Sequence, residues 1–450
     1  MFVPISNSPR NYAWGSTSAI AELLGRPESG GPEAELWLGA HLGSPSVILD
    51  PAQAGGSWDL AQWIATDPAT ALGEALGDRT PARTGVAPRL PFLLKILAAD
   101  APLSLQAHPS PQRAAQGFAR ENALGIPVDA AARNYKDAFH KPELIYALSD
   151  TFDALCGFRA VADSARMIAV LAAQAGENQA LEELRGRLVA ASAAADQENG
   201  LREVVAWLLG GGAGVDETVT AVVASTRSVT EGSVAEPAKE PRAGVFAPEF
   251  VREFATEFAT EFATVGELAY SFPGDPGIVL SLLLNRVTLR RGEALYLPAG
   301  NIHAYLSGLG VELMAASDNV LRGGLTAKHV DVPELLDVLD FTAVPVPYLP
   351  PDRPAAGLQV FHPDVPDFAL ARVDVGEPQE GLDAEESRAA FVELALSGPA
   401  IAICIEGSVD IAGDRANVRI ARGESVYVTP DEAALRFTGR GTLFVATTPR

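Results

Sequence analysis

Apolar and polar positions alternate along this chain with two different periods, and the changes of period mark out its organisation. Residues 1–60 carry short apolar stretches broken by Gly, Pro, Ser and Asn, and they predict strands and turns. Trp14 and Trp37 lie in two of these stretches, and for Trp37 a buried structural role is expected. Leu60, Trp63, Ile64, Ala71 and Leu72 fall at helical spacing and predict one or two helices over 58–77. Residues 90–97 are almost continuously apolar and predict a buried strand. The lysine inside it, Lys95, either meets a partner or a cavity, because an isolated buried ammonium is costly, or snorkels to the surface. From 102 to 109 the period is two: Leu103, Leu105 and Ala107 share one face, and Ser104, Gln106 and His108 share the other. A polar, helix-prone segment covers 111–123. In His140-Lys141-Pro142-Glu143 the proline keeps the preceding pair extended, and Glu143 heads another apolar strand.

Residues 160–230 are rich in Ala and Leu at helical spacing and hold no His or Cys, so they predict a helical region without chemistry. Residues 231–248 predict a flexible loop. Three copies of Glu-Phe-Ala-Thr follow at 253–264, with the Phe residues along one face of an expected helix. Strand signals resume over 277–284, a short helix is expected over 333–339, and a Pro-rich linker at 344–354 precedes a last all-β unit.

The chain's organising stretch is Gly292-Glu-Ala-Leu-Tyr-Leu-Pro298-Ala-Gly300-Asn-Ile-His303. Gly292 opens a turn, Ala294 to Leu297 form a short strand, and Pro298 with Gly300 force a second turn. His303 then starts the next apolar run. A rigid turn aiming one imidazole inward from a strand suits a metal site in a small β-barrel. The spacing resembles the second metal-binding motif of the cupins, a jelly-roll family. Arg422-Gly423-Glu424-Ser-Val-Tyr427-Val-Thr-Pro430 is a weak echo of it without the histidine, so two copies of one barrel are expected, with the metal site in the first half.

Composition narrows the function. The formal charge of −23 excludes a broad surface for nucleic acid or anionic membrane, leaving room for a local basic pocket. No apolar run approaches a membrane span, and Met1-Phe-Val-Pro-Ile-Ser lacks the features of a signal peptide, so the cytoplasm is the expected location. Cys156 and Cys404 lie in apolar runs and are expected to be buried free thiols. Only Lys95, Lys136, Lys141, Lys239 and Lys328 are lysine among 34 basic residues, and four of them fall in the chemistry-bearing segments.

The polar residues of the inward strands are Gln106, His108, Glu143 and His303. Two imidazoles, one carboxylate and one amide oxygen suit zinc or a similar divalent ion. Asn11-Tyr-Ala-Trp14-Gly-Ser, Ala34-Glu35-Leu-Trp37-Leu-Gly39-Ala-His41, Ser104-Leu-Gln106-Ala-His108-Pro, His140-Lys141-Pro-Glu143, residues 292–303 and Ser317-Asp318-Asn-Val-Leu-Arg322-Gly-Gly-Leu-Thr326 together resemble the type I mannose-6-phosphate isomerases, in order as far as about residue 341. The resemblance implies one zinc ion per chain on Gln106, His108, Glu143 and His303. It implies Arg322 as a catalytic arginine, with Ser104, Lys95, Lys141, Asp318 and Trp14 lining the substrate pocket. The implied reaction interconverts mannose 6-phosphate and fructose 6-phosphate by moving a proton between C2 and C1 through an enediol, a step of carbohydrate metabolism that feeds GDP-mannose biosynthesis. Lys141 or Asp318 is the expected base, with Lys141 preferred. Ser104 and Lys95 are the first candidates for the phosphate, and Lys328 is a third.

The expected fold is mainly β with an α-helical insertion: two cupin-like jelly-roll barrels plus a helical domain. Its expected parts are 1–158 and 267–345 for the catalytic unit, 159–266 for the helical insertion with its loop, and 346–450 for a degenerate cupin-like unit. The expected partner is a small-molecule sugar phosphate, with no nucleic acid or membrane, and a monomer is expected. A non-enzymatic sugar-phosphate-binding bicupin and an Fe(II) cupin dioxygenase are the alternatives.

Overall fold

The computed structural model describes residues 1–77, 87–231, 248–376 and 391–449. Strands β1 (Phe2–Ser6), β2 (Glu35–Leu38), β3 (Val47–Ile48), β4 (Phe92–Ala99), β5 (Gln106–Ala107), β6 (Glu143–Ala147) and β7 (Thr151–Phe158) come before a helical stretch. After it come β8 (Leu284–Arg290), β9 (Ala294–Leu297), β10 (His303–Ala315) and β11 (Leu321–Arg322). The last unit holds β12 (Asp352–Ala355), β13 (Leu358–Phe361), β14 (Ala369–Val375) and β15 (Val392–Ala395). It ends with β16 (Ala400–Ala412), β17 (Asn417–Ala421), β18 (Ser425–Val428) and β19 (Ala434–Thr447). This is the cupin-type architecture of two sheet-built units with a helical insertion, and the helices take as much chain as the strands.

The first sheet is organised by β10. Its start pairs with β5 and β7, and from Gly308 onward it pairs with β4 and β6. The change of partners falls at Gly308, which sits at φ 124° with the Phe152 and Thr151 backbone so close that a Cβ would clash. One long strand thus carries His303 at one end and Glu312 near the other. Alternation then sorts the side chains. Leu94, Ile96, Leu144, Tyr146, Val311 and Leu313 point away from the site and pack on Phe361, Ile401, Tyr427 and Phe444 of the last unit. Leu97, Ile145, Leu295, Leu297 and Tyr305 point the other way and form the floor beneath the site.

The last unit's sheet is completed by the chain's own start: β1 runs antiparallel to β18, from Phe2↔Val428 to Ile5↔Ser425, and β3 pairs with β1 at the edge. The stretch expected as a linker runs along β9, where Tyr296 N donates to Pro347 O at 3.1 Å and Leu349 N to Ala294 O at 2.9 Å.

Four helices, Val161–Ala175, Gln179–Ala193, Gln197–Gly210 and Ala213–Thr230, fill the expected helical region. The loop expected over 231–248, with Lys239, falls almost wholly outside the described residues. The tetrapeptide repeat does not lie in one helix. It spans two, Pro248–Glu257 and Ala259–Ser271, with Phe258 at the junction. Phe258 and Phe262 are buried in the helical core, so the Phe spacing serves packing.

Residues 277–283 are not a strand. Gly277–Leu280 is a helical turn followed by a 3-10 turn, Ser281–Leu283, and the strand β8 begins only at Leu284. Pro276 is the N-cap of the turn, and Asp275 just before it accepts from Gly277 N at 2.7 Å. A continuous apolar run is buried on all sides, and its periodicity cannot separate strand from buried helix.

Candidate functional site

Local turns aim both imidazoles. Gly300 adopts φ 82°, and a Cβ there would press within 3.1–3.2 Å of Asp340 and the Val338 carbonyl, so the turn before β10 needs glycine. Gly300 N donates to His108 O at 2.9 Å, tying this turn to the strand-end that Pro109 terminates. The carbonyl of Asn301 accepts from His303 Nδ1 at 3.0 Å, and that of Asn319 accepts from His108 Nδ1 at 2.7 Å. A carbonyl can only accept, so each Nδ1 carries a proton, and in the neutral ring the lone pair sits on Nε2.

Both lone pairs face Glu143 at the head of β6. His303 Nε2 lies 3.0 Å from Glu143 Oε2 and His108 Nε2 lies 3.3 Å from Oε1. All three side chains are about 1 % exposed, and one ligand atom from each lies within 4.8 Å of the others. Among the described residues His108 Nε2 has no hydrogen-bond partner. Burial, then the nearby Lys141 charge, pushes the His108 pKa down to about 4, so its ring is neutral at physiological pH. For Glu143 burial works upward, but Lys141, with His108 and His303, outweighs it and holds the carboxyl well below its ordinary range. An ionised carboxylate facing imidazole lone pairs in a dry pocket is an arrangement that a divalent cation satisfies. The donor set fits zinc.

Gln106 stands in register with His303 on one side and with Arg322 on the other. Residues directly opposite in an antiparallel pair share a face, so these three project together. Ser104 precedes Gln106 by two and is half-buried. Lys141 reaches the ligand set directly, its Nζ donating to Glu143 Oε1 at 2.6 Å. Arg322 is half-buried at the rim, and burial lowers its pKa.

Lys95 is buried beside two carboxylates. Of the two readings open for it, the partnered one holds. Its ammonium pairs with Glu312 at 2.8 Å and Glu35 at 3.2 Å, while Trp37 Nε1 donates to Glu35 at 3.0 Å and the Trp37 ring lies 5.1 Å from Nζ. Burial alone would lower the Lys95 pKa; Glu312 and Glu35 more than offset this and keep it charged. Two carboxylates, Glu312 and Glu35, share its charge. Trp37, expected as core, is half-buried and belongs to this buried ionic group.

At the mouth, burial lowers the Lys328 pKa, and Arg322 and Lys136 lie close enough to Lys328 for their charges to lower it further. Among the described residues these three cations have no ion-pair partner. Asp318 is half-exposed and lies 3.1 Å from His41 Nε2. Burial would raise its pKa, but His41, Lys141 and Lys136 together hold it below the usual carboxylate range. Trp14 stacks on Tyr12 at 5.7 Å and packs against the site's floor. Glu35, His41 and Asn319 stand in the motif strings of the sequence without a role assigned to them, and Glu312 carries no signal of its own there.

The catalytic-domain model of type I phosphomannose isomerase matches residues 2–161. The chain is 34 % identical to the mannose-6-phosphate isomerase of Escherichia coli (strain K12) over 439 residues, covering 97 % of both chains. A solved mutant phosphomannose isomerase from Salmonella typhimurium superposes with a TM-score of 0.79 at 32 % identity, covering 100 % of both chains. A zinc-bound mannose 6-phosphate isomerase superposes at 0.78 and 32 % identity, again over 100 % of each. With likeness of this extent along the whole chain, and a pocket whose donors suit the same metal, the chain belongs to the type I phosphomannose isomerase family.

Proposed function

We propose that this protein is the zinc-dependent isomerase that interconverts mannose 6-phosphate and fructose 6-phosphate, with Gln106, His108, Glu143 and His303 holding the metal. The observation that carries the reading is the buried Glu143 carboxylate faced by two imidazole Nε2 atoms whose opposite nitrogens are committed to backbone carbonyls. When bound, zinc supplies a Lewis acid that polarises the sugar carbonyl.

The chain's own groups do the rest. Lys136, Arg322 and Lys328 suit the phosphate, because a cluster of unpaired cations at the mouth gains most from a dianion. Arg322, on the same face as Gln106, also stands where it can stabilise negative charge growing on the sugar oxygens. Lys141 is our choice for carrying the proton from C2 to C1: it is nearly buried and already bonded to a ligand carboxylate. Asp318 is the second candidate, ionised and at the rim. Ser104 and Trp14 are assigned to the walls of the sugar site. Water is excluded by the floor of Leu97, Ile145, Leu295 and Leu297.

We place the enzyme in the cytoplasm as a monomer, feeding mannose 6-phosphate to GDP-mannose biosynthesis, with a small sugar phosphate as its partner. The strongly negative net charge supports a reading without nucleic acid, and no helix among the described residues is long and apolar enough to cross a membrane. A dioxygenase would want further imidazoles and has no use for Gln106; a mere binding protein has no use for a filled ligand set. The test is isomerisation of mannose 6-phosphate by purified protein, as isolated, after stripping with a chelator, and after zinc is returned. Activity lost and restored is expected. A folded, zinc-loaded sample without activity would overturn the reading.

A further inference from the structure

Residues 136–139 and 317–319 lie about 180 positions apart in sequence yet are interlocked by side chains. Asn319 is fully buried, and both ends of its amide are used. Oδ1 accepts from Lys136 N at 2.7 Å and Asp137 N at 3.3 Å, while Nδ2 donates to Asp137 O at 2.9 Å and Phe139 O at 2.8 Å. Asp137 answers from the other side. Its Oδ1 accepts from Ser317 Oγ at 2.8 Å and its Oδ2 from Asp318 N at 2.8 Å. The backbone carbonyl of Asn319 accepts from His108 Nδ1 at 2.7 Å.

Each element held by this clamp bears a group of the reaction. One strand of it continues through His140 to Lys141 and Glu143; the other carries Asp318 and leads to Arg322; the Asn319 carbonyl fixes the ring of His108. A buried amide with every hydrogen-bonding position filled is among the stiffest ways to join two loops, since slipping by one bond strands a buried polar group.

We infer that Asn319, locked to Asp137 and Ser317, is a positioning residue of this isomerase, setting the zinc ligand His108 and the proton-transfer candidates Lys141 and Asp318 in one frame. Metal affinity and turnover then depend on it together. The inference rests on the zinc reading of His108. A merely structural clamp would change stability alone.

The experiment compares wild type, Asn319→Ala and the milder Ser317→Ala. Zinc affinity is read by competition with a chromophoric chelator. Then kcat and KM for mannose 6-phosphate are measured at saturating zinc, and unfolding midpoints by circular dichroism. Asn319→Ala keeps the backbone carbonyl that bonds His108 but frees the loop that aims it, and is expected to bind zinc about 10-fold more weakly, the low end of the scale seen when a metal ligand's hydrogen-bonded support is disturbed. Its kcat is expected to stay about tenfold or more below wild type at saturating zinc, with a smaller change in KM. Ser317→Ala should move all three in the same direction by less. Wild-type zinc affinity and kcat with a lowered unfolding midpoint, in Asn319→Ala or, should that variant not fold, in Ser317→Ala, would overturn the inference. Wild-type activity indifferent to zinc removal would instead overturn the zinc reading beneath it.

Discussion

His140 Nε2 lies 2.7 Å from Asp367 Oδ2, a nearly buried contact between two units that are 227 residues apart in the chain. His140 immediately precedes Lys141, and Asp367 lies on the loop before β14. The last unit, whose described residues hold no ligand set of their own, therefore reaches to within one residue of the proposed proton carrier. Asp367→Ala should leave the imidazole without its partner, costing about 1–3 kcal/mol of stability. It should lower kcat more than it raises KM. Urea unfolding and steady-state kinetics check this; unchanged kcat would show that the contact serves stability alone.

Lys95 is ion-paired with two buried acids, Glu35 and Glu312. Lys95→Met should destabilise the protein by about 3–5 kcal/mol, because removing one partner leaves charge buried without compensation. Adding Glu312→Gln to that variant should recover part of the loss. A Lys95→Met protein as stable as wild type would show that the pair is hydrated in solution.

The metal ligands and the rim arginine should separate cleanly. Gln106→Ala and His303→Ala should lose zinc, and activity with it. Arg322→Ala should retain zinc while turnover falls by roughly two to three orders of magnitude, the usual effect of removing one preorganised charge donor. Metal analysis beside kinetics distinguishes them, and zinc loss in Arg322→Ala would end that division of roles.

Acid should act through His108 in the metal-free protein. Its pKa is 6.5 ordinarily and about 4 when folded. Between these values the unfolded chain takes up a proton that the folded chain refuses, so stability rises with pH across the window and is lost as pH falls. The loss from this one group amounts to about 3 kcal/mol by pH 4. Urea midpoints of chelator-stripped protein should fall from pH 6.5 to 4, and His108→Gln should flatten that slope. An equal slope in the variant would assign the effect to other groups.

Much of this molecule was legible where local pattern and local structure coincide. The helix expected over 111–123 forms over Pro111–Ala123, capped by Ser110, and the strand before the Pro298–Gly300 turn spans Ala294–Leu297 as read. The ligand candidates could be collected because period-two alternation placed Gln106 and His108 on one face. Legibility ended where a position's meaning is set from afar. Residues 277–283 are apolar all round and turned out helical. Glu35 and Glu312 look like ordinary strand residues until Lys95 is seen between them. Asn319 is one amide within a turn-rich string, and only folding supplies the backbone that fills its hydrogen bonds. The pairing of β1 with β18 has no signature in either segment.

That pairing sets a timetable for biogenesis. Ser425 Oγ donates to Ile5 O across 420 residues, so the earlier strand waits for the later one. At ordinary synthesis rates the wait is about 20 to 85 s. Throughout it β1 offers an open edge on the nascent chain, and the sheet that backs the active site closes only after Ser425–Val428 has been made.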